Sequence, residues 1–126
     1  MRDNKYYLLN AIKLAYIGDA VFSLFVREHF LLNTEKTNRE LNRKVNSIVC
    51  AKNQAKLMEE LMPDLTEEEK DIVFRARNAH INNKAKNSTL AEYSQATQYE
   101  ALIGYLYLTK DKKLDKILNK AVEGEN

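Results

Sequence analysis

The chain has 126 residues with one Pro, three Gly and no Trp, and its 20 Lys+Arg against 18 Asp+Glu leave a net charge of +2. That length predicts one domain with room for a real core, and the scarcity of helix breakers beside abundant Leu, Ala, Lys and Glu predicts a mostly helical chain. No charge-free apolar run of about 18 residues argues for a membrane span and no cleavable apolar leader is expected; a single cysteine excludes an intramolecular disulfide framework and fits a reducing cytosol.

The first predicted element is a long helix from about Lys5 to Phe30. Leu8, Leu9, Ile12, Tyr16, Asp19, Ser23 and Val26 fall near one face at the helical period. Between Leu14 and Val26 the only polar side chains besides Tyr16 are Asp19 and Ser23, so Asp19 is expected to point inward. Thr37 followed by Glu40 reads as a capping box that opens a second helical stretch, with room for one break before Met62. Pro63 ends it, because proline cannot continue the hydrogen-bond ladder. Cys50, within Ile48-Val49-Cys50-Ala51, reads as a small core residue rather than a nucleophile.

Thr66 with Glu69 forms a second capping box and starts a short helix through about Arg77. Asn78 to Ser88 is Asn-rich, basic and poor in apolar residues, the composition of a mobile loop. Thr89 with Glu92 caps a further helix that carries Tyr93, Thr97, Glu100, Ile103, Gly104 and Tyr107 along one side. A last helix runs from about Asp111 to Val122. The sum is an all-α bundle with two central apolar helices, one domain over 1–126 with a core of about 5–122.

Each central helix sets one carboxylate and one glycine in an apolar run, Asp19 with Gly18 and Glu100 with Gly104. A lone buried carboxylate is costly unless it is paired, hydrogen-bonded or bound to a metal. For one such acid, pairing with a buried Lys, Arg or Tyr hydroxyl is the simpler explanation. A second acid in an equivalent setting, with no Lys or Arg inside either run, favours a metal site built where the helices meet. A hard cation such as Mg²⁺ suits it, because it takes oxygen ligands, keeps several waters and needs only one or two protein carboxylates beside phosphate oxygens.

The charges are unevenly spread. From Lys36 to Lys56 six cations (Lys36, Arg39, Arg43, Lys44, Lys52, Lys56) face only Glu40, and from Ile72 to Ala91 four (Arg75, Arg77, Lys84, Lys86) stand with no acid at all. One such run is ordinarily a solvated helix face. Two of them beside an acid pair point to a polyanion. His29 and His80 read as bystanders, and the tyrosines (Tyr6, Tyr7, Tyr93, Tyr99, Tyr105, Tyr107), at helical spacing, as core or interface.

Tyr16-Ile17-Gly18-Asp19-Ala20-Val21 resembles the signature of the ribonuclease III catalytic domain. Tyr99-Glu100-Ala101-Leu102-Ile103-Gly104-Tyr105-Leu106-Tyr107-Leu108 resembles that family's later acidic motif. The variant Leu14-Ala15-Tyr16, the segment Arg77-Asn78-Ala79 and the lack of a C-terminal double-stranded-RNA-binding domain resemble the short Mini-III branch. The likeness spans about residues 10–110, with its two motifs about 80 residues apart. It implies an all-α endoribonuclease that works as a homodimer and cuts double-stranded RNA with Mg²⁺ to leave 5′-phosphate and 3′-hydroxyl ends. Asp19 and Glu100 match its catalytic, metal-holding acids, and Tyr16 matches an aromatic that packs across the dimer interface.

For the Mini-III branch the implied task is trimming the paired ends of 23S (large-subunit) ribosomal RNA precursor in the bacterial cytoplasm, helped by a large-subunit ribosomal protein. Larger members carry acids where this chain has Ala15 and Thr97, a thinning typical of the branch that leaves more of the metal shell to water and phosphate. With no accessory domain, Arg43, Lys44, Arg77, Lys84 and Lys86 are the candidates to hold A-form duplex through its phosphates. Two other readings stay open: a non-cleaving helical RNA-binding or ribosome-assembly module, and a plain helical interaction protein with structural acids.

Overall fold

Three threonines set where helices begin. In the computed structural model, which describes residues 4–32, 37–79 and 89–125, Thr37 accepts a hydrogen bond from the Glu40 amide at 3.2 Å. Thr66 and Thr89 do the same for Glu69 and Glu92 at 3.1 and 3.0 Å, and both glutamates return the bond to the threonine amide at 3.0 Å. Each closed box satisfies two backbone donors that a helix start otherwise leaves orphaned. The helices are α1 (Ala11–Leu31), α2 (Asn38–Val49), α3 (Ala51–Leu61), α4 (Glu67–Arg77), α5 (Leu90–Leu108) and α6 (Lys113–Ala121), with 3₁₀ turns at Lys5–Leu8 and Met62–Asp64. Among the described residues there is no strand, so the all-α bundle stands, and no helix is long and apolar enough to cross a membrane.

Helix α5 is the axis. It packs against α1, α3 and α4, and it is buried on every side from Ala96 to Leu106 apart from half-buried Glu100. Tyr99, Leu102, Ile103 and Leu106 from α5 interlock with Leu14, Phe22, Val26 and Phe30 from α1 and with Met58 and Ile72, all at most 1% exposed. The two apolar runs of the sequence are therefore the two central helices.

Two boundaries differ from expectation, each for a local reason. The first helix starts at Ala11 rather than Lys5. Asn4 takes the amides of Tyr6 and Tyr7 (3.1 and 3.3 Å) into a 3₁₀ turn, Leu9 is extended, and Asn10 caps α1 by accepting from the Ile12 amide at 2.7 Å. Short polar side chains here outcompete the helical ladder for backbone donors. The resulting arm is tied to α4: the Tyr7 hydroxyl donates to Asp71 at 2.6 Å, and Arg75 donates to the Tyr7 and Leu9 carbonyls at 2.7 and 3.3 Å. Arg75 also pairs with Asp71 at 3.1 Å, so it is engaged in holding the fold.

The break expected in the second stretch falls at Cys50, whose backbone is extended; the residue is exposed, not core, because it sits on the outer corner between α2 and α3. At the end of α5, Lys110 adopts a left-handed φ of 56°, and the Lys110 and Asp111 amides return to the Tyr107 and Leu106 carbonyls. That closing turn delays the last helix to Lys113, whose amide Asp111 accepts at 2.9 Å. The basic segment expected as a loop lies, from His80 to Ser88, outside the described residues, and with it Lys84 and Lys86.

Candidate active site

The site is made by how closely α1 and α5 cross. A Cβ at Gly18 would stand 1.7 Å from the Glu100 carbonyl oxygen and 2.8 Å from the Gly104 nitrogen. A Cβ at Gly104 would stand 2.0 Å from the Leu14 carbonyl oxygen. No side chain fits either place, so the two backbones touch where the sequence offers glycine on both sides. Asp19 follows Gly18 on α1 and Glu100 lies one turn before Gly104 on α5. The crossing brings their carboxylates within hydrogen-bonding reach of each other.

Asp19 does not point inward as its spacing predicts; it is exposed. The buried face of α1 is Ala11, Leu14, Ala15, Gly18, Phe22, Val26 and Phe30, with α5 its main neighbour. Asp19 stands at the margin of that seam, its carboxylate directed along the edge toward Glu100 and open to solvent. Helix α1 is apolar around its circumference, so periodicity alone does not choose the buried face; the small residues do. The same phase leaves Ile12, Tyr16 and Leu24 outward, 38%, 83% and 60% exposed, and Leu8 in the preceding 3₁₀ turn is 81% exposed.

Glu100 is half-buried, and loss of solvent first, then the Asp19 carboxylate, push its pKa up to about 8. One neighbour acts the other way: Gln54 Nε2 donates to the Glu100 carboxylate at 3.3 Å. Among the described residues no Lys, Arg or His forms an ion pair with either acid, which removes cation pairing as the explanation for placing them together. Nor do these residues hold any cluster of three His, Cys, Asp or Glu. Two carboxylates and little else suit a hard divalent ion that keeps most of its shell as water or phosphate oxygen. Ala15 and Thr97, the two positions where the resemblance implied acids in larger family members, are closed at 6% and 7% exposure, and the Thr97 hydroxyl is spent on the Tyr93 carbonyl at 3.0 Å.

The predicted basic residues are not gathered in one place. Arg43 is exposed and Lys44 half-buried on α2, where with Glu40 and Ser47 they border a groove of about 430 Å³. Arg77 is exposed at the end of α4, its guanidinium 5.2 Å above the Phe74 ring, on a different groove of about 400 Å³ that Met62 and Gln98 also line. Gln54 carries no signal in the sequence, because both of its partners come together only in the fold.

Comparison with known proteins agrees with this geometry. The Ribonuclease III domain family matches residues 12–111. A Mini-ribonuclease 3 from Brevibacillus brevis is 42% identical over 123 residues, covering 94% of this chain and 92% of the relative. One from Staphylococcus aureus is 40% identical over 124 residues, covering 96% and 92%. The crystal structure of a protein from Fusobacterium nucleatum superposes with a TM-score of 0.84 at 34% identity over 94% of this chain and 96% of that one. The chain belongs to the ribonuclease III family, beside the Mini-ribonuclease 3 proteins, and is an endoribonuclease.

Proposed function

We propose that this endoribonuclease cuts double-stranded RNA as a homodimer, with Mg²⁺ held by Asp19 and Glu100, and that its substrate is the paired ends of 23S ribosomal RNA precursor in the cytoplasm. The observation that carries the reading is the carboxylate pair at the glycine crossing, left without a balancing cation among the described residues. Mg²⁺ held by Asp19 and Glu100 would supply a water of lowered pKa and positive charge to offset that on the phosphate. In the hydrolysis a water oxygen bonds to phosphorus, the bond from phosphorus to the 3′ oxygen breaks, and that oxygen leaves as a hydroxyl; the phosphate stays on the 5′ end. Asp19, open to solvent, is the acid that meets incoming RNA. Glu100, its backbone packed against Gly18, sets where the reaction takes place.

Arg43, Lys44, Arg77, Lys84 and Lys86 are assigned to the duplex backbone, an electrostatic grip that weakens steeply with salt. Tyr16 and its exposed apolar neighbours on α1 are assigned to the second copy. A large-subunit ribosomal protein that presents the precursor is the proposed helper. The test is cleavage of a long double-stranded RNA with Mg²⁺, with EDTA, and by Asp19→Asn. Wild type should cut only with metal, and the variant should lose roughly 10²–10³-fold or more in rate while still binding RNA. Cutting by Asp19→Asn at the wild-type rate would overturn the assignment. A precursor of 23S RNA, with and without its ribosomal proteins, then tests the substrate and the helper.

A further inference from the structure

Gln54 sits in the first turns of α3, only 2% exposed, and its amide nitrogen donates to two acceptors from different elements. One is the Val49 carbonyl at 2.8 Å and the other the Glu100 carboxylate at 3.3 Å. Facing two oxygen acceptors, a glutamine can present only its NH₂ group, so the chemistry fixes which way the amide lies. The Val49 carbonyl is free to accept because α2 ends there, where Cys50 turns extended. The break between α2 and α3 thus anchors one end of a strut whose other end holds Glu100. The remaining atom, Gln54 Oε1, is buried and has no partner among the described residues. A buried unsatisfied acceptor is costly, and methionine would fill the same space without one. The donor half of the amide is what this position needs.

We propose that Gln54 is a positioning residue that orients the Glu100 carboxylate for the divalent cation through an uncharged hydrogen bond. The inference rests on the reading of Asp19 and Glu100 as the metal-holding pair. Charge is the reason for an amide here. A Lys or Arg in its place would satisfy Glu100 more strongly, but it would also neutralise the charge that attracts the cation. The amide steers one carboxylate oxygen and leaves the net charge of the acid pair intact. Neither Gln54 nor its anchor touches RNA in this scheme, so its effect is on the metal and not on the grip.

The test uses the full chain. Mn²⁺ binding without RNA is followed by electron paramagnetic resonance, beside the Mg²⁺ concentration for half-maximal cleavage and RNA affinity in EDTA. Gln54→Met, close in shape but lacking the amide, should fold with an unchanged or raised Tm and bind RNA in EDTA as wild type does. Its Mn²⁺ affinity should fall, and its half-saturating Mg²⁺ should rise, by about tenfold, with cleavage at saturating Mg²⁺ within a few-fold of wild type. Gln54→Asn, which withdraws the amide by one methylene, should show the same metal defect and serves if the methionine variant fails to fold. Wild-type Mn²⁺ affinity in both variants overturns the proposal. Asp19→Asn and Glu100→Gln run in parallel separate the two levels. If they lose Mn²⁺ while the Gln54 variants keep it, only the strut is wrong; if they bind and cut like wild type, the acid-pair reading itself falls.

Discussion

At Glu100, burial and then the Asp19 carboxylate oppose ionisation, and the carboxyl titrates near 8 instead of the ordinary 4.5. The folded protein therefore holds this proton more tightly than the unfolded chain does. The sign follows: the protonated carboxyl stabilises the metal-free fold fully below the unfolded value, and that contribution disappears as pH rises through about 8. A cation that needs the carboxylate must release the proton, so its affinity should climb with pH up to the same point, by about tenfold per unit for one proton. Thermal melts in EDTA from about pH 5 to about pH 8.5 should show a fall in Tm that Glu100→Gln flattens. Added Mg²⁺ should restore the loss at the alkaline end in wild type and not in the variant. Parallel pH profiles for the two proteins would mean that Glu100 is an ordinary carboxylate.

The element that makes the site is the crossing of α1 and α5, and its weak point is Gly18. Alanine there would gain up to about 1 kcal/mol of helix propensity. Its methyl, however, would stand 1.7 Å from a backbone oxygen, which no rotamer change relieves. The helices must part, at a cost of about 3 kcal/mol, the upper end of overpacking penalties. The oxygen struck belongs to Glu100 itself, so separation displaces the acid as well as loosening the fold. Urea melts of Gly18→Ala should show the loss of stability, and Mn²⁺ titration of its folded fraction should show weakened binding; an unchanged result in both would contradict the tight crossing. What the chain order reveals here and what it hides have physical causes. The threonine caps are legible because both partners lie three residues apart, and the two glycine–acid pairs are legible because polar residues stand out in apolar runs. The side of α1 that carries Asp19 is not, since leucines, isoleucine and tyrosine ring the helix and no phase is favoured. Gln54 is hidden for a different reason: Glu100 lies 46 residues away, and the Val49 carbonyl becomes an acceptor only because a helix ends there.

For the whole molecule, the outward stripe on α1 is the surface on which the proposed second copy rests. Ile12, Tyr16 and Leu24 lie at multiples of four residues along one face, continued by Leu8 in the preceding turn, and Tyr16 is 83% exposed. An apolar stripe of this length on a helix that also carries Asp19 fits a self-complementary two-fold contact, in which the same face serves both copies. Asp19, Glu100 and Gln54 all come from one chain, so each copy should hold its own cation whether or not it is paired. In the proposed dimer, pairing would serve instead to present two sites to two strands and to double the phosphate contacts. Tyr16→Glu places a charge in the middle of the stripe and should sediment as a monomer with wild-type Mn²⁺ binding. On duplex RNA it should leave nicks in single strands instead of paired cuts. Its affinity should depend on salt with about half the wild-type slope, because that slope counts the phosphates neutralised. A variant that stays dimeric with full double-strand cleavage would place the interface elsewhere. One that becomes monomeric and loses Mn²⁺ as well would show that the second copy completes the site, which the single-chain acid pair argues against.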